Sequence, residues 1–204
     1  MHATAPLLTA HDALTALLPH ASKDDHAPAI CGVHMTPEGF AATDRYTVAA
    51  FPTPVRGDLE EHGIILPLAA VEWVTNTPLN KLRSPKTPGR YTLRVTVTGE
   101  DTEVAILLDD KVERSQVFDT ITANFPAVRR LIDGWKPSEQ TGASLSLTPK
   151  LAARILTYAD KYAKGEPVRF EAGDGYGDKP GPLRFRVGGM VGLLQPNLNM
   201  RTDY

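Results

Sequence analysis

Residues 39–51 read GFAATDRYTVAAF. Two runs of small and apolar residues flank a polar break at Thr43-Asp44-Arg45. Each run has the length and composition of a strand, and the break has the composition of a tight turn. A charged dipeptide set among small residues is either a catalytic cluster or architecture. No nucleophile or metal ligand stands next to it in the chain, so the rest of the sequence has to decide.

Three other segments share one grammar. In 7–21, LLTAHDALTALLPHA, Thr9 can cap a helix on which Ala13, Leu14, Leu17 and Leu18 recur at helical spacing. In 63–76, GIILPLAAVEWVTN, a short apolar strand runs into Pro67 at a first helical turn, and Ala70, Val71 and Val74 form a stripe. In 143–166, Thr148 can cap, Pro149 suits the first turn, Leu151, Ile155, Leu156 and Ala159 line one face, and Gly165 ends the helix. Strand-like runs follow each helix: 28–35 and 39–51 after the first; 90–99, 102–110 and 114–121 after the second; 166–173, 183–189 and 190–196 after the third. The pair 90–99 and 102–110 alternates around Gly99-Glu100-Asp101 as a hairpin. The chain therefore repeats helix-plus-strands three times. Residues 52–63, 77–89 and 134–142 are loops rich in Pro, Gly and charge, and the last marks a boundary between 1–133 and 134–204.

With 204 residues, 42% of them hydrophobic, the chain can bury roughly 70% of its unfolded surface. There are 22 basic against 24 acidic residues, a net charge of −2. Bulk charge therefore names no nucleic-acid binder, although a local basic face is compatible with it. The single cysteine, Cys31, excludes an intramolecular disulfide and a cysteine zinc site, and its apolar setting reads as a buried, inert thiol. No secretory leader and no membrane-length apolar run is legible, which predicts a soluble, cytoplasmic protein.

Little in the chain points to chemistry. His20 and His26 have no established metal spacing. Asp174 and Asp178 lack the alternating oxygens and closing Glu of a calcium loop, and no helix follows GDGYG to make a phosphate site. No nucleophile elbow is present. Trp73 and Trp135 read as packing anchors. No enzyme, no cofactor and no metal is expected.

With these pieces in place, the chain resembles the bacterial sliding clamp, the beta subunit of DNA polymerase III, in a divergent form such as a phage or plasmid carries. GFAATDRYTVAAF is similar to the strand-ATD-strand signature of that family's middle domain, and ICGVHM to the strand before it. ITANFPAVRRLI at 121–132 resembles the segment leaving the middle domain, and VGLLQPNLNMR at 191–201 resembles the family's last strand and tail. Two departures stand out. Arg45 occupies a position that is usually Gly, and the tail reads Gln195-Pro196-Asn197 instead of Met-Pro-Met. The family has three domains of two units each, and this chain shows three units, the middle domain and half of the last.

The resemblance implies an α+β clamp fold, sheets outside and helices inside, forming a homo-oligomeric ring around double-stranded DNA. The family's rings hold about twelve units, so closure implies four copies of three units, or three copies of four. It implies sequence-independent phosphate contact from Lys81, Arg83, Lys150, Arg154, Lys161 and Lys164, residues that are equally what a solvated helix face carries. Reversing Arg154 and Lys161 is then expected to weaken DNA retention without unfolding the chain. It also implies a groove for short peptides of a DNA polymerase and a clamp loader, formed by Ile30, Thr43, Arg45, Val48, Pro126, Leu131, Leu193, Gln195 and Pro196. Ile30 and Val48 fit plain core packing as well. On this basis Thr43-Asp44-Arg45 reads as a polar turn at the rim of a groove. The rival reading is a clamp-derived interaction module that binds replication proteins without encircling DNA.

Overall fold

The computed structural model describes residues 1–59, 62–78, 90–138, 147–164, 166–175 and 180–196. In chain order its elements are β1 (His2–Pro6), α1 (Leu7–Leu17), β2 (Gly32–Thr36), β3 (Gly39–Thr43), β4 (Thr47–Pro52), β5 (Arg56–Asp58), β6 (Ile64–Pro67) and α2 (Leu68–Thr75). There follow β7 (Tyr91–Thr98), β8 (Asp101–Leu108), β9 (Lys111–Asp119), α3 (Val128–Asp133), α4 (Pro149–Lys161), β10 (Arg169–Glu171), β11 (Leu183–Val187) and β12 (Met190–Leu194). Short 3₁₀ turns lie at Leu18–His20 and Pro28–Ile30.

The strands form two antiparallel sheets, β5-β1-β7-β8-β9 and β10-β11-β12-β4-β3-β2-β6. The first two helix-plus-strands units exchange their leading strands. β1 precedes α1 but pairs with β7, Ala3 opposite Val95. β6 precedes α2 but pairs with β2, Val33 opposite Leu66. The third unit joins the first edge to edge, with Leu193 of β12 opposite Val48 of β4. Hydrogen bonding thus runs unbroken across the 133/134 boundary.

The hairpin of β3 and β4 sits at the centre of the larger sheet, and its composition follows from that position. Every residue of β3 is buried. On one face Phe40, Ala42, Ala49 and Phe51 join the main core with α1, α2 and α4. On the other, Ala41, Ala50 and Leu193 meet Val128 and Ile132 of α3 in a smaller core. A strand covered on both faces reads as a continuous apolar run, and alanine lets backbone layers approach closely. Among the described residues no helix is long and apolar enough to cross a membrane.

Several expectations change. Thr9 lies inside α1; the helix starts after Pro6, at the end of β1, with no side-chain cap. Pairing with β7 fixes where β1 ends, so tertiary hydrogen bonding sets the helix start. Pro67 stands just before α2 instead of in its first turn. Pro149 does open α4, but Thr148 makes no side-chain cap bond. Residues 28–30 form a 3₁₀ turn in place of strand, β5 lies within the expected 52–63 loop, and part of the expected connector is α3. Gly165 and Asp178 lie outside the described residues.

Gly192 is where the third unit meets the first. A Cβ there would lie 2.1 Å from the Val48 carbonyl oxygen and 2.4 Å from the Phe185 ring. Gly192→Val is therefore expected to cost about 1–3 kcal/mol by overpacking. At ~2–4 °C per kcal/mol for a chain of this size, the thermal midpoint should fall by several degrees. An unchanged midpoint in a calorimetric scan would mean that β4 and β12 are not in this register.

Candidate functional site

Thr43, Asp44 and Thr47 close the β3–β4 turn among themselves. The Thr43 hydroxyl donates to the Thr47 carbonyl (2.8 Å) and accepts from the Arg45 amide (3.2 Å). Asp44 Oδ1 accepts from the Tyr46 amide (3.1 Å), the Thr47 amide (2.8 Å) and the Thr47 hydroxyl (3.0 Å). Its other oxygen, Oδ2, accepts from Arg154 Nη1 of α4 at 2.6 Å. The two side chains are only 11% and 19% exposed. Burial works against the charge on Asp44. The Arg154 hydrogen bond, helped by Thr47 and by the guanidinium charge, outweighs it and holds the carboxyl below its usual range. The hydrogen bonds make the cluster the closure of a turn.

His20 completes the network from beneath. It is fully buried, its Nδ1 lies 3.1 Å from Thr47 Oγ1, and its ring stacks on Phe185. The single Thr47 hydroxyl proton goes to Asp44, so His20 Nδ1 carries the proton and donates. Among the described residues its Nε2 then has no partner. Burial, then the nearby Arg154 charge, lowers the His20 pKa to about 4. His26 is exposed, so these two histidines cannot share an ion. Among the described residues no group of three or more His, Cys, Asp or Glu could hold a metal. Cys31, expected to be buried, is only half-buried, because its thiol turns to the loop and donates to the Asp24 carbonyl at 3.0 Å; burial still pushes its pKa up.

The turn sets the rim of a groove at the β4–β12 junction. A cavity of about 440 Å³ is lined by Arg45, Val48, Leu131, Leu193 and Gln195 of the expected set. Tyr46, Trp135 and Lys136 also line it, and no local pattern in the sequence points to them. The floor is apolar. Leu131 is 57% exposed, and the Trp135 indole donates to the Pro182 carbonyl at 2.9 Å. The other four expected residues lie elsewhere. Ile30 and Pro196 are buried away from the cavity, and Thr43 is buried inside the turn. Pro126 lines a different cavity of about 550 Å³ with His34 and Phe125. Arg45 holds φ +78°, a left-handed conformation costing a bulky residue roughly 1–2 kcal/mol. Glycine would avoid that strain.

On the helix side, a cavity of about 840 Å³ lies between α4 and the C-terminal ends of α1 and α2. Lys150 and Lys161 of α4 line it and are exposed, and Lys164 is exposed just beyond the helix. Arg154 lines it too, but its guanidinium is engaged by Asp44. That corrects the expectation that Arg154 can be reversed harmlessly, because a glutamate there would face a buried carboxylate. Lys81 and Arg83 lie outside the described residues. Neither α1 nor α2 carries a Lys or Arg.

No protein-family model matches the chain, and no curated protein sequence does. Solved structures do. The DNA polymerase sliding clamp of Pseudomonas aeruginosa aligns with all of this chain and 66% of its own length, with a TM-score of 0.64 at 12% identity. The DNA polymerase III beta subunit of Thermotoga maritima aligns over 97% of this chain and 65% of its own, with a TM-score of 0.62 at 13% identity. That of Borrelia burgdorferi, solved with a natural product, gives 0.63 at 10% identity over 97% of this chain and 64% of its own. The molecule has the sliding-clamp fold. It is a divergent clamp-like chain that spans about two thirds of the length of the clamps it matches.

Two measurements probe the turn. Arg154→Met leaves the Asp44 carboxylate buried without its cation and is expected to cost about 3 kcal/mol in urea unfolding. A loss under ~1 kcal/mol, the value of a surface pair, would contradict the burial described. For His20, the folded pKa of about 4 lies below the ordinary 6.5. The unfolded chain binds more protons between those values, so stability is full above pH 6.5 and falls as pH drops toward 4. The loss is on the order of 3 kcal/mol. His20→Gln should flatten this limb of the stability profile. An unchanged slope would place the titration on other groups.

Proposed function

We propose that this chain is a non-enzymatic DNA sliding clamp, a polymerase processivity factor that closes as a homo-oligomeric ring around duplex DNA. The observation that carries this is the groove at the β4–β12 junction, set in a clamp fold that extends over nearly the whole chain. In this role the helices face DNA, and Lys150, Lys161 and Lys164 meet phosphates without reading bases; Lys81 and Arg83 are assigned to the same face. The groove takes short peptides of a DNA polymerase and a clamp loader. Their apolar side chains would rest on Val48, Leu131 and Leu193, and their acidic groups would face Arg45 and Lys136. Residues 1–133 act as a middle-type domain and 134–204 as half of a last one. A ring of four such chains, or of three if a fourth unit is present, needs no cofactor and no membrane, and works in the cytoplasm.

One observation favours the second reading, an adaptor that binds replication proteins without encircling DNA. The described helix face is sparsely basic: α1 and α2 supply no cation, α2 exposes Glu72, and Arg154 is held by Asp44.

Light scattering on a size-exclusion column, at several concentrations, separates the two. A stable trimer or tetramer is expected, and a monomer throughout removes the ring. Given a ring, Lys150→Glu with Lys161→Glu should lower the slope of log retention on circular DNA against log salt by about 2, the loss of two phosphate contacts. An unchanged slope would put DNA on another face.

A further inference from the structure

Three cavities join end to end. The 840 Å³ cleft along α4 shares Leu18, Pro19, Lys150 and Arg154 with a neighbouring cavity of about 670 Å³. That second cavity shares Arg45 and Tyr46 with the 440 Å³ groove on the far side of the turn. Adjoining cavities thus form a furrow from the helix face, past Lys23, to the β3–β4 turn. Its first two sections are lined by five cations, Lys23, Arg45, Lys150, Arg154 and Lys161, against two carboxylates, Asp24 and Asp44. The local balance is +3 in a chain whose net charge is −2. Of the carboxylates, Asp44 is already matched by Arg154, and Asp24 stands 3.9 Å from Arg45.

Two aromatic rings mark this stretch. Among the described residues Tyr46 and Tyr162 are the most exposed aromatic side chains, at 63% and 48%. Tyr162 lies against Tyr158 with centroids 5.8 Å apart and planes inclined by 21°, and both rings line the α4 cleft. Tyr46 lines the far end. On α4, Lys150, Arg154 and Lys161 fall on one stripe, because steps of four and eleven residues return to nearly the same side of a helix. At 1.5 Å per residue, Lys150 and Lys161 are about 16 Å apart along the axis, so the cations form a track and not a single point of charge.

We propose that this furrow binds a single, unpaired strand of nucleic acid, with its backbone along the α4 cations and bases stacked on Tyr162 and Tyr46. Single-strand grooves combine these two features, a cationic track and aromatic faces that any base can use. A rigid duplex offers its phosphates to the lysines, but its bases are stacked inside and cannot reach the rings. The assignment goes beyond the ring and holds for a monomer as well.

Fluorescence anisotropy of the full chain with a short labelled oligothymidylate, and with a duplex of equal length, tests it at two salt concentrations. Single-strand binding should weaken as salt rises. Tyr162→Ala and Tyr46→Ala should each weaken it about tenfold, the cost of losing one stacked base, with duplex binding unchanged. Tyr162→Phe, which keeps the ring, should restore it. Both positions are largely solvent-facing, and a thermal melt confirms that each variant folds. Equal losses for both probes would make the furrow part of a general phosphate surface and overturn the proposal. So would unchanged single-strand binding in both alanine variants. Failure of the wild-type chain to bind the oligonucleotide at low salt would overturn it too and leave the furrow to a protein partner.

Discussion

The Asp44 carboxylate ties the β3–β4 turn to α4, with a second bond from Arg154 Nη1 to Thr47 Oγ1 at 3.2 Å. One oxygen closes the β3–β4 turn, and the other receives a guanidinium from 110 residues further along the chain. Both charges are largely withdrawn from water, so each needs the other in place. His20 fits beside them as a neutral ring, because a second cation next to Arg154 would cost more than the Thr47 hydrogen bond returns. The pair fixes α4 over the hairpin, and the β12–β4 ladder fixes the strands of the same unit beside it. Arg45 and Tyr46 follow Asp44 directly, so their position on the groove rim depends on the same anchor.

Much of this was legible in sequence and some was not, for physical reasons. Long periodic segments announced α1, α2 and α4, and alternation announced β7 and β8, because burying one face leaves a period in the chain. β1 and β5 were missed. HATAP and RGD carry no pattern of their own and become strands only beside a partner that lies far away in sequence. Of the groove, Arg45, Val48, Leu131, Leu193 and Gln195 were placed by resemblance, whereas Trp135 and Lys136 sit in a loop where local composition says nothing about which cavity they line. Arg154 was misjudged because helical spacing shows which side of a helix a residue is on, but not that a carboxylate from another unit covers it.

Agreement in fold at 10–13% identity is less surprising given what the fold requires. In this chain it is met by small residues where β3 and β4 are covered on both faces, a glycine where two strands and an aromatic ring converge, and polar closure of one turn. Many side chains satisfy each condition, since cores tolerate extensive exchange when volume and pattern are kept. The positions that do not exchange freely are those with a backbone or charge constraint. Arg45 holds a left-handed conformation at a cost in strain, which raises the expectation that its side chain has work to do.

The exchange of β1 and β6 has a consequence for how the chain is made. β1 is made before either of its partners: β5 follows the β2–β4 meander, and β7 comes only after α2 as well. Until β7 arrives one edge of β1 has only water, and the smaller sheet has no centre. The leading segment must therefore be held back from wrong strands for much of synthesis, and the first two units complete together. Such non-local pairing is slow. A cell making this protein quickly would rely on dilution or chaperones to keep nascent β1 from pairing with the β7 of a neighbouring chain, which would give a swapped dimer with the same local contacts.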